Sequence, residues 1–128
     1  MPDKSILLVD DDDDDCFLFQ DALSEVDDTA ELKTTNSCRQ LMSMLGAQNA
    51  DLPDLIVMDF NMPKQNGAEC LSCLKVERKL KHIPVVILST SNDRASIDMV
   101  YDRGAASYIV KPNTFEALKD IVTQLLKP

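Results

Sequence analysis

The 128-residue chain has no apolar run near the roughly 20 residues that a membrane-spanning helix needs. Its opening, MPDKSILLVD, lacks the pattern of a signal peptide, so a cytoplasmic location is expected. Basic residues are scarce: 13 Lys and Arg stand against 22 Asp and Glu, a net charge of −9. Nucleic-acid phosphates and anionic lipid surfaces both call for Lys and Arg, so neither is an expected partner. Histidine occurs once, at His82, without ligand-like spacing to Cys70 or Cys73. No internal repeat, low-complexity linker or change of composition divides the chain. With 45% apolar and 27% charged residues, the expectation is one globular domain over residues 1–128.

Four short apolar runs are present: Ile6-Leu7-Leu8-Val9, Leu55-Ile56-Val57-Met58, Val85-Val86-Ile87-Leu88 and Tyr108-Ile109-Val110. Each has strand length and β-branched residues, the pattern of buried parallel strands. Glu31–Thr35 mixes Leu32 with polar neighbours, as an edge strand would. Helical periodicity separates the runs. Phe19, Ala22, Leu23 and Val26 fall at i, i+3, i+4 and i+7, as do Cys38, Leu41, Met42 and Leu45. Ile97, Val100, Tyr101 and Gly104 repeat the spacing, and so do Leu118, Ile121, Val122 and Leu125. Residues 67–79 keep a looser face through Ala68, Leu71 and Leu74, while Ser37 and Thr114 are N-cap candidates. Five βα units in succession predict a doubly wound α/β sandwich with a parallel sheet and right-handed crossovers.

Cysteine occurs at 16, 38, 70 and 73, and Cys70 and Cys73 form a CxxC. That motif serves redox chemistry when it opens a helix after a strand. Here it falls inside a helical segment, so four reduced thiols acting as small apolar residues are expected, with a redox or zinc role as the alternative.

Ligands of parallel α/β sheets bind outside the carboxyl ends of the strands. The residues at those ends are Asp10-Asp11, Asp59, Ser89-Thr90 and Lys111-Pro112. Three carboxylates, a hydroxyl and one ammonium would converge. Carboxylates so placed call for a cation, and hard oxygen donors with water nearby suit Mg²⁺. The lone lysine opposite leaves room for an anion, and a phosphoryl group accepted by Asp59 as an aspartyl phosphate fits both charges.

These residues sit in the motifs VDD (residues 9–11), MDFNMPKQNG (58–67), PVVILST (84–90) and YIVKP (108–112). In this order and at these separations the chain resembles the receiver domain of two-component response regulators. The details LKHIPVVILSTS and VYDRGAASYIVKP resemble single-domain members associated with phytochrome-like or hybrid sensor kinases. The resemblance implies the flavodoxin-like strand order 2-1-3-4-5 and a phosphoacceptor switch, not a turnover enzyme. Asp59 would accept the phosphoryl group. Asp11 would ligate Mg²⁺ directly, Asp10 mainly through water, Asp59 through an oxygen and Asn61 through its backbone carbonyl. Ser89 would hydrogen-bond the phosphoryl group, Lys111 would pair with it across a cis Lys111–Pro112 bond, and Tyr108 would be the aromatic switch. Implied partners are a sensor histidine kinase or hybrid kinase and a downstream protein or phosphotransfer protein. A second copy, bound through the fourth helix, fifth strand and fifth helix on phosphorylation, is a further implied partner.

Six aspartates run from residue 10 to 15. Asp10 and Asp11 read as the metal pair, and residues 12–15 as cap and first turn of the next helix, where the macrodipole favours negative charge. Thr90 departs from the small residue that the resemblance implies after the switch hydroxyl, and would narrow access to Asp59. Asn61 and Ser91 occupy the positions that tune phosphate lifetime in the family. The chain ends about one helix after Lys111, so no output domain is expected. The remaining alternatives are a phosphorelay intermediate and a degenerate receiver used only for docking. A haloacid-dehalogenase-type phosphatase would need an acid where Asn61 stands. A flavodoxin-like cofactor binder would need a phosphate-cradling loop where the aspartates lie.

Overall fold

The computed structural model describes residues 4–47, 51–61 and 67–127. Five strands alternate with five helices: β1 (Ser5–Val9), α1 (Asp13–Val26), β2 (Glu31–Thr35), α2 (Cys38–Leu45), β3 (Leu55–Asp59), α3 (Gly67–Val76), β4 (Val85–Ser89), α4 (Arg94–Asp102), β5 (Ser107–Val110) and α5 (Phe115–Leu126). All pairings are parallel and the sheet order is β2-β1-β3-β4-β5. β2 is an edge strand, as its mixed composition predicts.

Successive strand side chains point to opposite faces, so each central strand feeds two cores. Leu7, Val9, Ile56, Met58, Val85 and Ile87 pack with Leu41, Leu71, Leu74 and Val100 from α2, α3 and α4. Ile6, Leu8, Leu55, Val57, Val86 and Leu88 pack with Phe19, Leu23 and Val122 from α1 and α5. Each such buried side chain contributes roughly 1.5–3 kcal/mol. Ser37 and Thr114 cap α2 and α5, their hydroxyls accepting from the Gln40 and Ala117 amides at 3.1 Å each.

Three expectations need correction. Gly104 continues the apolar period of α4 in the sequence, yet it lies beyond the helix with φ +102°, a conformation that suits glycine and stops the helix. The third helix ends at Val76 rather than Lys79, because residues 77–82 turn back to bring Leu80 and Ile83 into the core. The four cysteines are not all reduced: Cys38 and Cys70 form a disulfide with Cα atoms 5.8 Å apart. Neighbouring helices on one face of the sheet bring together residues 32 positions apart, which local spacing does not reveal. Cys73 is exposed and free, so the CxxC is not itself the pair.

Candidate functional site

Asp10 directly follows β1, and β3 and β4 end in Asp59 and Ser89, so a buried polar residue stands at the carboxyl end of each apolar strand. Asp10 is 4%, Asp59 3% and Ser89 0% exposed. The parallel sheet aligns these ends, and Lys111 follows β5 with its amide donating to the Ser89 carbonyl at 2.8 Å. The Lys111 side chain then reaches back across the sheet edge. Its Nζ lies 3.1 Å from Asp59 Oδ1 and 3.3 Å from Asp15 Oδ2.

Carboxylate oxygens of Asp10, Asp15 and Asp59 lie within 4.8 Å of one another. Burial, together with the charges of Asp59 and Asp15, pushes the Asp10 carboxyl up to about 7, even though the Asp12 amide donates to it at 2.9 Å. Burial disfavours the Lys111 charge, but the hydrogen bond and charge of Asp59 outweigh it, with help from Asp15 and Asp10, and hold its pKa above the ordinary lysine value. One ammonium does not balance three crowded carboxylates. The donor set is all hard oxygen and therefore fits a divalent cation such as Mg²⁺.

Asp11, expected as the direct metal ligand, is exposed and lies outside that trio. It occupies the bend that follows β1 and Asp10. The first turn of α1 brings Asp15 into the trio instead. Asp12 behaves as expected of a cap, its Oδ1 accepting from the Asp14 and Asp15 amides at 2.9 and 3.4 Å. Asp13 and Asp14 are exposed in the first turn. Asp15 is the site residue that the sequence reading placed among the capping aspartates. A usable signal was present: it precedes buried Phe19 by four residues and so shares its helix face.

The Asn61 amide donates to Asp59 Oδ1 at 2.9 Å. Its side-chain Oδ1 accepts from the Thr90 amide at 2.9 Å and from the Thr90 hydroxyl at 3.4 Å. Thr90 is thus tied to the β3–α3 loop beside Asp59. Ser89 Oγ accepts from the Ser91 amide at 3.1 Å. The Tyr108 hydroxyl donates to the Ser91 carbonyl at 2.6 Å, which docks the ring against the β4–α4 loop. The Lys111–Pro112 bond is trans, not cis, and no cis peptide occurs among the described residues. Trans is the ordinary preference even before proline. Residues 62–66 of the MDFNMPKQNG motif lie outside the described residues.

The family model of the response regulator receiver domain matches residues 6–123. The chain belongs to this family of two-component system proteins, as its fold and strand-end residues indicate. The response regulator Rcp1 of Synechocystis sp. is 34% identical over 125 residues, covering 94% of this chain and 85% of that protein. Among solved structures, the phosphorylated cyanobacterial phytochrome response regulator RcpA is 37% identical with a TM-score of 0.87, covering 96% of this chain and 91% of that one. The Mn²⁺-bound form of Rcp1 is 32% identical with a TM-score of 0.83, covering 95% and 91%. The expected likeness to phytochrome-associated regulators is therefore borne out. No helix among the described residues is long and apolar enough to cross a membrane.

Proposed function

We propose that this chain is a phosphoacceptor switch in which Asp59 takes a phosphoryl group from a histidine kinase. The observation that carries the reading is the placement of Lys111 Nζ 3.1 Å from the buried Asp59 carboxylate, beside two further carboxylates. A carboxylate oxygen of Asp59 forms the O–P bond as the P–N bond of a phosphohistidine breaks. The imidazole nitrogen leaves with the electron pair and regains a proton from water. Lys111 meets charge on the transferring oxygens, and the Asn61 amide holds the Asp59 carboxylate in place. Asp10 and Asp59 from the carboxylate cluster and the Asn61 carbonyl, joined by Asp11 once its exposed side chain turns inward, would hold Mg²⁺, which would supply further positive charge to the phosphoryl oxygens when bound.

The product is an acyl phosphate on the chain itself, so the domain assists its own phosphorylation and dephosphorylation and is not a turnover enzyme. Ser89 and Lys111 reach the added oxygens only when drawn inward, which favours a second arrangement of the β4–α4 loop, Tyr108 and α5. A cytoplasmic kinase or hybrid kinase would approach along α1, where Phe17 and Leu18 are exposed. A downstream protein, a phosphotransfer protein or a second copy would read the α4-β5-α5 face, where Tyr101 is exposed.

The test is intact mass after incubation with Mg²⁺ and acetyl phosphate. One phosphoryl adduct is expected, absent from Asp59→Asn and from an EDTA-treated sample. An adduct that persists in Asp59→Asn would sink the assignment of the acceptor.

A further inference from the structure

Lys111 has two carboxylate partners. Its Nζ sits 3.1 Å from Asp59 Oδ1 and 3.3 Å from Asp15 Oδ2, so the ammonium lies between the phosphoacceptor and the first turn of α1. Asp15 reaches this position because it faces inward with Phe19, whereas residues 11–14 are exposed. Its side chain keeps 39% of its surface in solvent, against 20% for Lys111 and 4% for Asp59. Asp15 therefore stands at the solvent rim of the site, beside the Lys111 ammonium. Its helix cap is provided by Asp12, so α1 does not need the Asp15 carboxylate to begin.

We propose that Asp15 is a positioning residue that restrains phosphoryl transfer: it holds part of the Lys111 charge and sets a negative charge in the path of the anionic donor. This rests on the proposed role of Lys111 as phosphoryl partner. Two effects act in the same direction. While Lys111 bonds Asp15, one of its three N–H groups is withheld from the phosphoryl oxygens. The Asp15 carboxylate also repels a dianionic donor across a few ångströms of partly wet surface. Removing that charge leaves Lys111 beside Asp59 and frees the N–H that Asp15 engages for the phosphoryl oxygens.

The test compares phosphorylation rates of the wild type, Asp15→Asn and Asp15→Glu, with Mg²⁺ saturating for each variant. With acetyl phosphate, Asp15→Asn is expected to react roughly three- to tenfold faster at low salt, an effect of the size expected for one half-exposed charge. The gain should shrink as salt is raised, and it should be smaller for phosphoramidate, which carries less negative charge. Asp15→Glu, which keeps the charge, should stay close to the wild type. In a Lys111→Met background the part of the gain that passes through the lysine disappears, which separates it from simple repulsion of the donor. Asp15→Ser provides a second neutral variant if Asp15→Asn folds poorly. Equal or slower reaction of the neutral variants, with the wild type forming its Asp59 adduct, overturns the inference. Absence of any wild-type adduct overturns the phosphoacceptor reading instead.

Discussion

Asp10 directly follows β1 with 4% of its surface exposed, and burial joins the charges of Asp59 and Asp15 in lifting its pKa from 3.8 to about 7. The folded state thus retains a proton that the unfolded chain releases near pH 4. This contribution to stability is complete below about 3.8 and is lost as pH rises through about 7. Metal-free wild type should therefore lose stability between these values relative to Asp10→Asn, whose amide does not ionise. The expected difference is on the order of 2–4 kcal/mol, read from urea unfolding at both ends of the range. Parallel pH curves would mean that Asp10 ionises normally in the fold. The same residues show where a linear reading succeeds. Asp10, Asp59, Ser89 and Lys111 were legible because each follows a strand-length apolar run. Asp15 was not, since within an aspartate run its neighbours suggest a helix terminus, and only the facing of α1 sets it apart.

Among the elements, α2 and α3 are tied by the Cys38–Cys70 disulfide across 32 residues. A bridge closing a loop of that size constrains the unfolded chain and stabilises by about 3–4 kcal/mol. Dithiothreitol should lower the urea midpoint of the wild type by a corresponding amount and leave Cys38→Ser unmoved. A midpoint insensitive to reductant in both proteins would show that the bridge adds no stability. The elements themselves were largely legible. β-branched runs became strands, 3.6-residue periodicity became helices, and Ser37 and Thr114 became caps. The misses came at ends: Gly104 belongs to the α4 stop, and residues 77–82 leave the helix because the core needs Leu80 and Ile83.

On the scale of the whole molecule, two cores clamp one sheet, and the site occupies only its carboxyl edge. Tyr108 links that edge to the side of the sheet away from β2: its hydroxyl bonds Ser91, and its amide donates to the Tyr101 hydroxyl at 3.1 Å. Phosphorylation of Asp59 should therefore shift amide resonances of residues 89–91 and of Ser107–Val110, and those around Tyr101. Glu31–Thr35, on the opposite edge, should stay unchanged. Two-dimensional spectra with and without phosphodonor decide this, and an unchanged β5 would remove Tyr108 as a switch. Composition and periodicity by themselves determined the alternation of strands and helices and the residues at the strand ends, because both patterns are local. The sequence put Asp15 on the Phe19 face of α1. The tertiary structure decided that this face brings it, rather than Asp11, into the carboxylate trio, that Lys111 is shared, and that Cys38 meets Cys70. Those outcomes depend on which way a helix face turns and which helices lie side by side, and neither is set by neighbours in the chain.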